Sequence, residues 1–141
     1  MIRIESIIDE FRNSLNRHNT LKGHFHNFQT SIELLGGDAF PLRGISVTSS
    51  DETSSTVTYL DREYEFKFST ELSSGVLVGR LTVARVIDRD RHKFTDLASV
   101  TFNGESVVDI QQPQDEDPIR LDHDNDCMSL VMNWIRDEFN A

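Results

Sequence analysis

Three aspartates spaced two residues apart near the C-terminus are the side chains of this sequence best suited to binding a cation. Asp122, Asp124 and Asp126 have the spacing with which a calcium loop of the EF-hand type opens. Such a loop also needs glycine at its sixth position and glutamate at its twelfth, where a bidentate carboxylate completes the oxygen shell. Cys127 and Asn133 hold those positions here. The spacing therefore does not predict an EF-hand, and we predict neither a metal ion nor another cofactor.

The same aspartates lie at the start of a predicted C-terminal helix, which favours a structural role. Carboxylates at a helix N-terminus accept hydrogen bonds from free backbone N–H groups and oppose the helix macrodipole. We expect capping to be their main task. Two alternatives stay open, an irregular divalent-cation site and a docking surface for a basic partner.

The aspartates belong to a wider concentration of negative charge. Between Asp109 and Ala141 there are nine acidic residues and two arginines, so this segment holds seven of the chain's ten net negative charges. Asp115, Glu116 and Asp117 lie in a loop bounded by two prolines, where no local structure explains them. Clustered charge speeds association with an oppositely charged partner and sharpens partner choice. The expected partner is a basic protein, and the predicted partner-binding residues are Asp115, Glu116, Asp117, Asp122, Asp124 and Asp126.

Histidine and cysteine occur in settings that favour structural roles. His24 and His26 would share one face of a strand, but on a helix they project about 200° apart and cannot chelate one ion. Apolar residues recur at helical spacing around them, so we expect no metal site there. Cys127 lies near a predicted helix start, but neighbouring aspartates raise the pKa of a thiol, and we expect a structural residue. The chain lacks common hydrolase, metalloprotease and nucleotide-binding motifs, and we predict no catalytic residue.

Positive charge is concentrated along one predicted strand and the turn after it. The residues are Arg80, Arg85, Arg89, Arg91, His92 and Lys93. We expect an edge strand kept soluble by its charges, or else pairing with the acidic C-terminal segment within one subunit or between two. The net charge of −10 opposes binding to nucleic acid or to an anionic membrane, so neither is an expected partner.

Length and hydrophobic periodicity predict one α+β domain over residues 1–141. Residues 1–37 are expected to be helical, 43–111 to form antiparallel strands, 112–123 to form an acidic loop and 124–140 to form a helix. Five or six strands joined by short turns would build a curved, mainly antiparallel sheet with the C-terminal helix packed on one face. Nine phenylalanines supply bulky material for its core.

Two apolar stripes of different phase divide the N-terminal region. The first defines an amphipathic helix over residues 2–15 and consists of Ile4, Ile7, Ile8, Phe11 and Leu15. The second runs from Leu21 to Leu35, and residues 16–20 break the phase between them. The sequence therefore predicts one helix or a helix pair. Farther on, a long strand from Gly75 to Ile87 has apolar residues on both faces and is expected to be central or strongly curved, with Gly79 permitting a bend. Asn103-Gly104 predicts a hairpin turn followed by a sixth strand.

These features together predict a small acidic protein-interaction domain that binds a basic protein, of the inhibitor, immunity or chaperone type. The alternative is a small-molecule-binding or catalytic domain with a pocket between the curved sheet and the helices. One cysteine, no signal-peptide core and no long apolar run make the cytoplasm the expected compartment. The sequence leaves the oligomeric state open, a homodimer included.

Overall fold

The computed structural model describes residues 3–113 and 116–141, and it confirms the predicted α+β class. Within these residues two α-helices flank five strands of one antiparallel sheet. In chain order the elements are α1 (Ile4–Glu33), a single 3-10 turn (Leu34–Gly36), β1 (Ile45–Asp51), β2 (Ser54–Tyr59), β3 (Arg62–Ser73), β4 (Val76–Asp88), β5 (Lys93–Phe102) and α2 (Asp124–Phe139).

The N-terminal region is one continuous helix of 30 residues, so the break expected at residues 16–20 does not occur. None of these five residues is proline or glycine, and the Thr20 hydroxyl donates to the Asn16 carbonyl inside the helix at 3.1 Å. The change of phase is nevertheless real. At 100° per residue, the stripe from Ile4 to Leu15 points roughly a quarter turn away from the stripe from Leu21 to Leu35. One helix thus presents two apolar faces in two directions.

The strands form a simple meander in the spatial order β1-β2-β3-β4-β5. Tight turns fix the registers, because Tyr59 pairs with Arg62 across a two-residue turn and Ser73 pairs with Val76 across another. The basic strand is β4, and it lies between β3 and β5. The central position indicated by its two apolar faces is confirmed. The interpretation of its charges as those of an edge strand is wrong, and its arginines need another explanation.

The core lies between the sheet and the two helices, and α1 runs antiparallel to β3. Phe28 packs on Phe66, Phe25 packs on Phe68, and the ring centroids of these pairs are 5.8 and 5.5 Å apart. Farther along, His18 reaches Thr70 with 3.4 Å between Nδ1 and Oγ1. Helix and strand therefore advance together in opposite directions. Large side chains fill this layer, and the fully buried ones include Leu21, Ile32, Leu35, Val57, Tyr64, Leu81, Val83, Phe102 and Leu121.

Gly79 lies in the long strand β4 at a position where a larger residue would not fit. Gly79 pairs with Phe102 on β5, and a Cβ atom at position 79 would overlap the Phe102 ring. Close packing therefore requires glycine at this position, and the bend we expected stays a prediction. After Phe102 the chain turns at Asn103, whose side-chain oxygen accepts hydrogen bonds from the backbone N–H groups of Glu105 and Val107, both at 3.0 Å. In the described residues only isolated bridges follow, so the sixth strand is not formed.

Candidate functional site

The predicted partner-binding aspartates nearest α2 are bound to their own domain. Arg120 donates from Nε and Nη2 to the two carboxylate oxygens of Asp122, at 2.9 and 3.0 Å. This bidentate pair lowers the pKa of Asp122 from its ordinary value of 3.8 to about 2. Asp124 accepts a hydrogen bond from the Ser31 hydroxyl at 2.6 Å, and Asp126 accepts one from the backbone N–H of Arg120 at 3.0 Å.

The helix start itself differs from the capping we expected. His123 occupies the N-cap position of α2 and makes no side-chain capping hydrogen bond. Asp124 and Asp126 instead lie within the first turn, where their charges oppose the macrodipole of the helix. The hydrogen bonds of Asp124 and Asp126 connect the first turn of α2 to α1 and to the segment before the helix, and Asp122 pairs with Arg120 within that segment. Their role in the fold is thus structural, by a route other than capping.

The described part of the acidic loop contributes carboxylates that make no such structural hydrogen bonds. Asp115 lies outside the described residues, whereas Glu116 and Asp117 are described and their residues are exposed. Glu105 and Asp109, earlier in the same connection between β5 and α2, are exposed as well. Across residues 3–113 and 116–141, the salt bridges and side-chain hydrogen bonds leave these four carboxylates unpaired. They form the accessible part of the acidic surface.

Neither a metal site nor a membrane-spanning helix is found among the described residues. In the part of the chain that the structure describes, no three His, Cys, Asp or Glu side chains are grouped so that they could hold a metal ion. His24 and His26 both lie on α1, and the Nε2 atom of His24 is 2.7 Å from the Gly104 carbonyl oxygen. Over the same described residues, no helix is both long enough and apolar enough to span a membrane.

Cys127 is a buried thiol with a backbone partner. Its Sγ donates to the Leu121 carbonyl at 3.2 Å, and the residue is fully buried. Burial raises the pKa of the thiol to about 12, and the negative charges of Asp126, Asp124 and Asp122 act in the same direction. A thiol with so high a pKa is protonated at neutral pH and is a poor nucleophile.

The basic residues of β4 are paired inside the subunit. Arg85 donates to Glu138 of the acidic C-terminal segment at 2.7 Å. Glu138 also accepts hydrogen bonds from Arg62 at 2.6 Å and from the Tyr64 hydroxyl at 2.8 Å. Burial, together with the carboxylate of Glu138, raises the pKa of Tyr64 to about 12. This network attaches the end of α2 to the sheet.

The remaining arginines of the group pair locally, which leaves little positive charge for a ligand. Arg80 binds Glu71 on β3 and Ser99 on β5, and Arg89 binds Glu63 on β3. Arg91 contacts Asp88 within its own turn at 3.6 Å. The strand therefore carries cross-strand ion pairs on the sheet, which explains its composition without a nucleic-acid or phosphate ligand.

A shallow apolar groove, which the sequence did not predict, opens between α2 and the turn joining β2 to β3. It has a volume of about 480 Å³ and is lined by Tyr59, Leu60, Met132, Asn133, Ile135, Arg136 and Phe139. Leu60 is exposed although it is a large apolar residue, and its φ of 49° lies in the left-handed region. Leucine is strained there, whereas asparagine and glycine are tolerated. The only signal in the sequence was a leucine at a turn position that favours asparagine.

The first apolar stripe of α1 is a second surface whose exposure we did not predict from the sequence. Its spacing predicted an amphipathic helix, and its apolar residues Ile4, Ile8, Phe11 and Leu15 are 67, 41, 70 and 58 % exposed. Every side chain from Arg3 to Asn16 is exposed except Ile7, which is half-buried. The phase change at residues 16–20 was the signal, because a face turned away from the second stripe cannot reach the same sheet.

Comparison of this chain with protein-family models, with curated proteins and with solved structures finds no match. Function must therefore be argued from the surfaces themselves. Three stand out on the described residues: the exposed carboxylates between β5 and α2, the groove beside Leu60, and the apolar stripe from Ile4 to Leu15.

Proposed function

We propose that this protein is an acidic protein-interaction domain that binds a basic protein partner. The observation that carries the proposal is that its C-terminal carboxylates fall into two groups, one bound within the domain and one exposed. Asp122, Asp124 and Asp126 are held by intramolecular hydrogen bonds, whereas Glu116 and Asp117 are exposed and free of ion pairs in the described structure. The binding residues are accordingly those of the loop, with Asp115 as a predicted member, rather than the aspartates at the start of α2.

The shape of the acidic connection supports the proposal. It follows the C-terminal half of α1, because Gly104 contacts His24 at one end and Asp124 contacts Ser31 at the other. Between Glu105 and Asp126 the sequence contains eight acidic residues and one arginine. That arginine is already paired with Asp122. An elongated field of one sign steers an oppositely charged partner and discriminates against acidic ones.

The test compares two variants that lose equal charge. One neutralises the proposed surface by Glu105→Gln, Asp109→Asn, Glu116→Gln and Asp117→Asn. The control neutralises four exposed acids elsewhere by Asp9→Asn, Glu10→Gln, Asp90→Asn and Asp96→Asn. Each protein is immobilised and exposed to native lysate at low and at high salt. The proteins captured are then identified, and their affinities are measured by surface plasmon resonance.

The proposal expects a basic protein that binds the wild type and the control, that is lost at high salt, and that binds the first variant much more weakly. Equal binding to both variants and the wild type would overturn it. Equal weakening in both variants would show that net charge alone attracts the protein, and it would overturn the assignment of the surface.

The groove beside Leu60 favours a second candidate function, the binding of an apolar ligand or side chain. Large side chains fill the core between the sheet and the helices, so the groove beside Leu60 is a separate candidate site. The groove lies at the end of α2, and its volume falls within the range of ligand sites. Titration with 1-anilinonaphthalene-8-sulfonate, followed by amide shifts, tests it. Saturable shifts confined to Tyr59, Met132 and Phe139 would support the groove, and their absence would exclude this apolar ligand.

A further inference from the structure

The beginning of α1 extends beyond the domain that holds its second half. The pairs Phe28 with Phe66, Phe25 with Phe68 and His18 with Thr70 show that the helix follows β3 toward the tip of the β3–β4 hairpin. The strand ends at Ser73, about 10 Å beyond Thr70, so the sheet ends near the level of Phe11. Residues 4–10 therefore extend beyond the sheet, as the outer part of an exposed helical segment from Ile4 to Asn16 that is about 20 Å long.

A projecting helix of this kind is unstable by itself. In water, isolated helices shorter than about 12–15 residues are marginal, and most helical stability in proteins comes from covering an apolar face. Here the apolar face is present, and nothing in the described chain covers it, since Ile4, Phe11 and Leu15 are more than half exposed. A partner surface that covers the stripe would stabilise both the stripe and the helix that carries it.

We propose that the partner is a second copy of this chain, paired through the stripe as an antiparallel, two-fold symmetric helix pair. The four exposed residues of the stripe are separated by 4, 3 and 4 positions, which is the spacing of alternating d and a positions in a heptad repeat. Ile4 and Phe11 occupy d positions, and Ile8 and Leu15 occupy a positions. In the antiparallel arrangement Ile4 packs against Leu15 of the second copy, and Ile8 packs against Phe11 of the second copy. All four exposed positions are then covered by one another.

Charge selects this orientation. Glu5 and Arg12 occupy successive e positions, on the same flank of the stripe. In an antiparallel pair the e positions of one helix face the e positions of the other. When Ile4 packs against Leu15 of the second copy, Glu5 lies within about 3 Å of Arg12 of the second copy along the helix axis. Two equivalent ion pairs result. In a parallel pair the e positions would instead face the g positions of the second copy. These are Ile7 and Ser14, which carry no charge.

The body of the domain extends the same surface. Leu72 follows Thr70 by two residues on one face of β3, beyond the contact with His18, and it is 73 % exposed. It therefore flanks the base of the stripe beside Leu15. In the antiparallel pair the N-terminal end of the second copy's helix arrives at this position. Leu72 supplies apolar contact area there in addition to the stripe.

Sedimentation equilibrium and light scattering across a concentration series test the proposal. The wild type is expected to form a concentration-dependent dimer, and Phe11→Glu is expected to raise its dissociation constant by roughly a hundredfold or more. Asn13→Glu, on the opposite face of the same helix, adds the same charge and should leave the dimer unchanged. Because these residues do not contact the core, thermal unfolding of the monomer serves to verify that each variant is folded.

A charge exchange tests the orientation. Glu5→Arg and Arg12→Glu each place like charges at both ion pairs, so each variant alone should dimerise more weakly than the wild type. An equimolar mixture restores both pairs, because one copy then carries two basic e positions and the other two acidic ones. Native mass spectrometry should therefore show a selective heterodimer.

Each outcome is decisive. A wild type that is monomeric at every concentration would overturn the dimer, as would a dimer insensitive to Phe11→Glu. A dimer that is sensitive to Phe11→Glu but shows no preference for the mixed pair would overturn the antiparallel arrangement. The acidic loop is unchanged in all these variants, so failure here leaves the binding of a basic partner unaffected.

Discussion

Glu138 of α2 and Arg85 of β4 are joined by a hydrogen bond of 2.7 Å, and the same carboxylate binds Arg62 and Tyr64 of β3. The Glu138 side chain is only 11 % exposed, so the charge is largely removed from water and depends on these three donors. The contact connects the acidic C-terminal segment with the basic strand inside one subunit. It is the main polar attachment of the end of α2 to the sheet.

The first prediction is that Glu138→Gln destabilises the fold. The variant loses charge-assisted hydrogen bonds and leaves two arginines without their shared partner, which we expect to lower the free energy of unfolding by about 2 kcal/mol. Urea denaturation measures the change. Asp137→Asn is the matched control, because its carboxylate is 70 % exposed and, among the described residues, forms an ion pair only with Arg136, at 3.7 Å. Equal effects of the two variants would contradict a structural role for the network.

The second prediction concerns acid stability. Burial alone would raise the pKa of Glu138, but the hydrogen bonds from Tyr64, Arg62 and Arg85 outweigh burial and lower the pKa below its ordinary value of 4.5. A carboxyl whose pKa is lower in the folded state contributes stability above the unfolded-state pKa, and loses it as the pH falls through the folded-state pKa.

Urea denaturation at a series of pH values between neutral and acid measures this contribution. The wild type should lose stability below the ordinary pKa of glutamate more steeply than Glu138→Gln does, so the difference between the two proteins should shrink as the pH falls. Parallel curves would show that the carboxylate is not stabilised in its ionised form.

The fold class followed from sequence because its signals are local. The alternation of Tyr64, Phe66 and Phe68 with charged residues identifies a strand with one solvent-exposed face. Short polar turns identify antiparallel neighbouring strands. The stripe of α2 similarly identifies a helix that packs on the sheet. Each of these signals is read within a few residues, and each was confirmed.

The errors have a common physical origin, since they depend on what lies across the fold. The change of phase in α1 suggested a break, because a pattern cannot show whether a rotated face meets a core or solvent. Asp124 suggested a cap, because the Ser31 hydroxyl that binds it is 93 residues away in the chain.

The third prediction is that Leu60→Asn stabilises the fold. Leu60 and Asp61 have φ values of 49° and 65°, as in a type I′ turn, and asparagine tolerates this conformation better than leucine. The Leu60 side chain is 59 % exposed, so little burial is lost. We expect the free energy of unfolding to rise by roughly 0.5–1 kcal/mol, measured by urea denaturation.

A destabilised Leu60→Asn would show that the leucine contributes more by contacts in the groove than it costs in strain. A stabilised variant that also loses the amide shifts induced by the apolar probe would explain why a strained residue is kept at this position. Asp61→Gly is the companion variant, since it relieves the second left-handed residue without altering the groove lining.

The fourth prediction is that the pKa of Asp122 depends on the geometry of Arg120. The bidentate hydrogen bonds from Arg120 are the largest influence on this carboxyl and hold its pKa at about 2, although partial burial acts against them. Arg120→Gln should return the pKa toward the ordinary value of 3.8. Arg120→Lys should give an intermediate value, because an ammonium group supplies charge without the planar pair of donors. Carbon-13 NMR of the carboxyl against pH measures all three proteins. Equal pKa values in the wild type and Arg120→Gln would show that Asp122 is not held by this pair, and it would return Asp122 to the accessible acidic surface.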